Sequence, residues 1–103
     1  MNRRDLLAEV LSQNPHDAFA RYGLAMEYSN SGEIDHSLEE FNKLLAAHPD
    51  YTAGYFMAAQ TLAKAERIDE ARAMLEKGIA SAHRTNNSHA QSEMEAMLAD
   101  LAD

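Results

Sequence analysis

PHDAFARYGLAMEYSNSGEIDHSLEEFNKLLAAHP, running from Pro15 to Pro49, is echoed by the stretch from Pro49 to His83 after a shift of 34 residues. The shift sets Leu24 on Ala58, Ala25 on Ala59, Tyr28 on Leu62, Ile34 on Ile68, Asp35 on Asp69 and Phe41 on Leu75. A period of this size implies stacked supersecondary units, each burying its apolar face only against its neighbours. Carried one period back, it sets Leu7 on Phe41, Leu11 on Leu45 and Pro15 on Pro49. Residues 2–14 therefore read as the second half of a unit whose first half is absent.

The chain has 103 residues, enough for a single domain (1–103) that buries somewhat over ~60% of the surface its unfolded form exposes. Its hydrophobic residues are mostly Ala, Leu and Met, with few β-branched side chains and only two prolines, a composition that predicts an all-α fold. Nine Lys and Arg against seventeen Asp and Glu leave a formal charge of -8. Arg3-Arg4 is the one basic doublet, so nucleic acid and anionic membranes are not expected partners. No cysteine is present, which fits a reducing compartment. No signal-peptide pattern and no spanning apolar run are read, and the expected location is cytoplasmic.

About six helices are expected. In the first, residues 2 to about 13, Leu6, Leu7, Val10 and Leu11 form an apolar stripe. Asn14-Pro15 ends it, since proline disfavours αR in the residue before it and suits a new first turn. The second, Asp17 to about Asn30, is apolar on two sides, through Phe19, Tyr22 and Met26 and through Leu24, Ala25 and Tyr28. It must satisfy two contacts. Gly32 supplies a positive φ to the turn before the helix from Ile34 to about Ala47, whose outer Glu39 and Lys43 form an i, i+4 pair. A second pair of helices covers Tyr51 to about Lys64 and Ile68 to about Ala82. The turn Ala65-Glu66-Arg67 between them lacks glycine, so it is either tighter in sequence demand or ends in a different cap. Ser88 and Gln91 carry a capping-box signature for a last helix, in which Met94, Met97, Leu98 and Leu101 are buried and Glu93, Glu95, Asp100 and Asp103 face out. Its register against a strict 34-residue shift is poor, so 86–103 reads as a terminal cap.

The units at 18–51 and 52–85 resemble the tetratricopeptide repeat family, whose pattern runs W-x2-L-G-x2-Y, then A-x3-F, then P. Leu24, Tyr28, Phe41 and Pro49 match it in the first unit, with Arg21 at the tryptophan, Ala25 at the glycine and Ser37 at the alanine. In the second unit Ala71 matches, Tyr55, Ala59, Leu62 and Leu75 are substitutes of suitable size or character, and Ala58 is smaller than the expected leucine. His83 replaces the proline. The resemblance implies a right-handed α-α superhelix of antiparallel hairpins, with the first helix of each hairpin lining a concave groove. Carried onto this chain, that groove is lined by Phe19, Tyr22, Met26 and Asn30 and by Phe56, Met57, Gln60 and Lys64. One subset of the family grips a C-terminal carboxylate with Lys, Asn and Arg side chains. Here Lys64 is the only cation of that surface, which disfavours such a clamp.

Aromatic and methionine side chains on a concave surface suit an extended peptide or an amphipathic helix. The same residues at helical spacing can equally be core, packed between hairpins or under the last helix. No nucleophile elbow, phosphate-binding glycine loop or zinc-protease motif occurs, so no catalysis and no cofactor are expected. Glu39-Glu40 reads as a solvated face, His89 and Glu93 lie one turn apart with no third ligand placed, and His16, His48 and His83 fall at hairpin junctions, so no metal is expected. The expected function is binding of a peptide or helix of a partner protein. The alternative is an assembly protein forming a homodimer through the same apolar surface.

Overall fold

Six helices account for most of residues 2–102, which the structure, a computed structural model, describes: α1 Arg3–Gln13, α2 Ala18–Asn30, α3 Ile34–Ala47, α4 Thr52–Lys64, α5 Ile68–Arg84 and α6 Ser88–Leu101. No strand occurs among the described residues. Asp103, expected on the outer face of the last helix, lies outside them.

Three of the turns share one chemistry. After α2, the Glu33 N–H donates to the Tyr28 carbonyl (2.9 Å) and the Gly32 N–H to that of Ser29 (3.1 Å), a Schellman motif with Gly32 at φ 80°. The α4–α5 turn has the same two bonds, from Arg67 to Leu62 and from Glu66 to Ala63, and the α5–α6 turn has them from Asn87 to Ala82 and from Asn86 to His83. The cap at the second turn is thus the same one made without glycine, not a different one. Glu66 is held at φ 61°, and Asn86 at φ 57°. Asparagine tolerates that region, whereas glutamate takes it at a steric cost.

Two helix boundaries differ from expectation. With His83 in place of a proline, nothing removes a backbone donor, and α5 runs on to Arg84. Asn87, not Ser88, caps α6, its side-chain oxygen accepting from the Ala90 N–H at 3.1 Å. α6 consequently starts two residues later than a strict 34-residue spacing from Thr52 requires, which is why its register looked poor.

The packing decides the shape. α2 pairs with α3, α4 with α5, and α6 lies against α5. α2 also reaches α4 and α4 reaches α6, whereas among the described residues α1 and α3, and α3 and α5, make no backbone contact. Even-numbered helices that touch and odd-numbered helices that splay produce a curved stack, concave on the α2–α4–α6 side. Fully buried Ala25, Ala58, Ala59 and Ala71 let these helices approach, and the Ser37 hydroxyl, also fully buried, donates to the Ala25 carbonyl at 2.8 Å. At the far end Met94 is fully buried against Gly78 and Tyr55, while Met97, Leu98 and Leu101 are half-buried around the same cluster.

Two sequence readings are corrected. Leu7 and Leu11 are buried against α2, but Leu6 and Val10 remain 52% and 42% exposed, because no element covers that side of α1. Glu40 is not a solvated carboxylate: it is 8% exposed and accepts from Arg21 at 2.7 Å, with Lys43 at 3.3 Å. Glu39 does face water, with Lys43 at 3.9 Å. Arg21, standing where the repeat pattern has tryptophan, thus replaces aromatic packing by a partly buried ion pair that also holds the Pro15 carbonyl.

Two stability predictions follow from the turns and from the α5–α6 contact. Glu66→Gly is expected to raise stability by up to ~1 kcal/mol by relieving the left-handed conformation, and Gly32→Ala, where nothing crowds a Cβ, to lower it by ~1 kcal/mol, both read by urea unfolding. At Gly78 a Cβ would lie 2.7 Å from the Tyr55 Cβ and 2.5 Å from the Met94 sulfur. Despite alanine's better helix propensity, Gly78→Ala should cost roughly 1–2 kcal/mol in the same measurement; an unchanged midpoint would show that α6 is not seated on α5 this closely.

Candidate functional site

The concave face is built from α2 and α4, which run in the same direction because each is followed by an antiparallel partner. Residues early in the two helices thus share one end of the face, and late residues the other. Of the eight residues expected to line it, Phe19, Tyr22 and Phe56 fall early in these helices, and Asn30, Gln60 and Lys64 late. Met26 and Met57 lie between. In chain order the eight grade from aromatic to polar along each helix.

Burial sorts these eight side chains. Phe19 is 70% exposed, the most exposed large hydrophobic residue among those described, and Asn30 and Lys64 are also exposed. Tyr22, Met26 and Met57 are half-buried against the cluster of Ala25, Phe41, Leu44 and Ala58, so they seal the seam between α2, α3 and α4 while showing one edge to solvent. The Tyr22 ring stands edge-on to Phe41 at 6.4 Å and tilted against Tyr51 at 5.5 Å. Burial pushes the Tyr22 phenol up from its ordinary value, with Tyr51 adding to the shift. Phe56 is half-buried in the cluster that α6 closes, with Met94, Ala90 and Met97. The last helix therefore covers part of the α4 side and leaves the α2 side open. Gln60 is half-buried.

Polar contacts fix the spacing of the two helices. The Ser29 and Thr61 hydroxyls share a hydrogen bond of 2.7 Å across α2 and α4, and Thr61 also donates to the Met57 carbonyl at 2.9 Å. A similar pair, Thr52 and Ser81 at 2.8 Å, ties α4 to α5. Neither pair announces itself in the sequence pattern. The hint was a polar residue at a helix position otherwise small and buried.

Two hollows lie off this face. One of about 460 Å3, with Leu38, Leu62 and Met74 at its floor and Asp35, Arg67 and Lys77 at its rim, occupies the gap where α3 and α5 diverge. Its rim is internally compensated, Arg67 reaching Asp35 at 3.1 Å and Glu70 at 2.8 Å. The other, about 560 Å3, lies between the α3–α4 and α5–α6 connections.

Among the described residues no group of three metal-ligating side chains converges, and His89 meets only Glu93, at 3.1 Å. His48 Nε2 lies 3.0 Å from the His16 carbonyl, a bond between successive hairpin junctions. Among the described residues no helix is long and apolar enough to cross a membrane.

The family model for the tetratricopeptide repeat matches residues 30–101. A TPR repeat-containing protein of Pseudomonas aeruginosa is 26% identical over 92% of this chain and 90% of its own length. An uncharacterised protein of Methanocaldococcus jannaschii is 31% identical over 68% of this chain and 81% of its own. Among solved structures, a tetratricopeptide repeat domain protein from Salinibacter ruber superposes with a TM-score of 0.79 at 26% identity, covering 85% of this chain and 89% of that one. The type III secretion translocator chaperone SycD of Yersinia enterocolitica has the same fold, with a TM-score of 0.85 at 14% identity over 95% of this chain and 68% of its own. The six helices form an all-α superhelix of antiparallel hairpins, and the chain belongs to the tetratricopeptide repeat family.

Proposed function

We propose that this chain is a non-catalytic binding module that holds an extended or helical segment of a partner protein on its α2–α4 face. Tetratricopeptide repeats are in general protein–protein interaction modules. A chaperone among the proteins of like fold fits that reading. The single observation that carries it is Phe19, an aromatic side chain left 70% exposed beside the half-exposed edges of Tyr22 and Met26. The gradient along the face adds chemistry: a fitting segment places apolar residues against Phe19 and Tyr22 and polar or acidic groups toward Asn30, Gln60 and Lys64. In this reading 18–51 and 52–85 are full repeats, 2–14 is a half unit and 86–103 is a cap.

The binding and packing roles of the face separate by mutation. Phe19→Ala and Lys64→Glu change exposed side chains and should leave stability within ~0.5 kcal/mol, whereas Tyr22→Ala should cost ~2 kcal/mol or more. Affinity capture from native cell extract, with mass spectrometry, should recover a partner on the wild-type chain and lose it on the Phe19→Ala/Lys64→Glu variant. A partner retained equally by that variant would place binding elsewhere and leave the face as packing alone.

A further inference from the structure

The sulfur of this chain is all thioether, with six methionines and no cysteine. Met1 lies outside the described residues, and the other five are not equivalent. Met94 is fully buried and out of reach of solvent. Met26 and Met57 are half-buried against the α2–α3–α4 cluster only, and Met97 against the cluster under α6 only. Met74 is half-buried as well, yet it packs against three clusters at once: that of Phe41 and Leu44, that of Leu38 and Leu62, and that of Tyr55 and Leu75. No other described residue is shared among three of them.

The place of Met74 in the fold explains this. It leaves α5 where α3 and α5 diverge, so its side chain bridges the two hairpins from inside the outer cleft. It lines both the hollow of about 460 Å3 and a neighbouring one of about 220 Å3, and Asn42 of α3 and Lys77 of α5 line both with it. A small oxidant therefore reaches a side chain on which the packing of both hairpins depends.

We propose that Met74 is a site of reversible oxidation by a hydroperoxide, through which the packing between the two hairpins is loosened. The sulfur lone pair takes the terminal oxygen of the hydroperoxide, the O–O bond breaks, and the remainder leaves as water or an alcohol. Sulfur is oxidised and the peroxide reduced by two electrons. The resulting sulfoxide is a polar acceptor set among Phe41, Leu44 and Leu38, where burial without a donor is costly. Asn42 and Lys77 offer donors at the cleft wall, so the oxidised side chain turns outward and gives up its three contacts. Met26, Met57 and Met97 have one cluster each to lose. A methionine sulfoxide reductase, drawing two electrons from a dithiol, restores the thioether, releases water and leaves a disulfide on the reductant.

Hydrogen peroxide applied to the folded protein tests this, read by peptide mass mapping and urea unfolding. Met74 should gain one oxygen while Met94 gains none, and the ratio of folded to unfolded protein should fall roughly tenfold. Methionine sulfoxide reductase should restore it. Met74→Leu, close in volume, should fold and keep its midpoint under peroxide, whereas Met26→Leu/Met57→Leu/Met97→Leu should lose stability as the wild type does. An unoxidised Met74 in the folded protein, an unchanged midpoint after its oxidation, or a triple variant that resists peroxide would overturn the proposal. None of these readouts involves a partner, so the outcome is separate from that of the binding experiments.

Discussion

How closely α2 can approach α3 is fixed by Ala25 and Ser37, and the rest of the molecule depends on that distance. Both residues are fully buried, and the serine hydroxyl, at 2.8 Å from the Ala25 carbonyl, satisfies its own polarity at the point of contact. A larger side chain at either position would separate the hairpin and open the cluster of Phe41, Leu44 and Ala58 behind it. One period on, Ala59 and Ala71, also fully buried, hold the equivalent positions. Because two hairpins are built to the same tight spacing, they can stack, and because α2 touches α4 while α3 and α5 diverge, the stack curves. The concave face is a consequence of small residues on one side of each unit.

Much of this was legible from spacing. The 34-residue period, Asn14-Pro15 and Gly32 locate the helices to within a residue or two, since they act through local backbone chemistry that tertiary context does not override. What stayed hidden depended on neighbours. Leu6 and Val10 belong to the same apolar stripe as Leu7 and Leu11, and no one-dimensional pattern says that only half of the stripe is covered. Glu40 beside Glu39 reads as surface, and only the approach of Arg21 from another helix makes it a buried partner. Glu66 shows that a turn's geometry can be imposed by the packing on either side even where its residue resists.

The candidate face was legible in membership but not in availability. Spacing names Phe19, Tyr22, Met26, Phe56 and Met57, yet Tyr22, Met26 and Met57 seal a seam, Phe56 is claimed by the cluster under α6, and Phe19 alone among them is mainly exposed. An aromatic left in water on a rigid curved face lowers solubility without adding to the core, and burial against a partner would recover on the order of 1.5–3 kcal/mol. That balance is the physical basis for assigning binding to this side of the molecule.

The most direct measurement is a map of backbone amide chemical shifts on titration with the segment of a captured partner. The account requires the shifts to concentrate in α2 and α4, at Phe19, Met26, Asn30 and Lys64, with α3 and α5 little affected. Shifts confined to the outer cleft around Leu38, Met74 and Lys77 would contradict it.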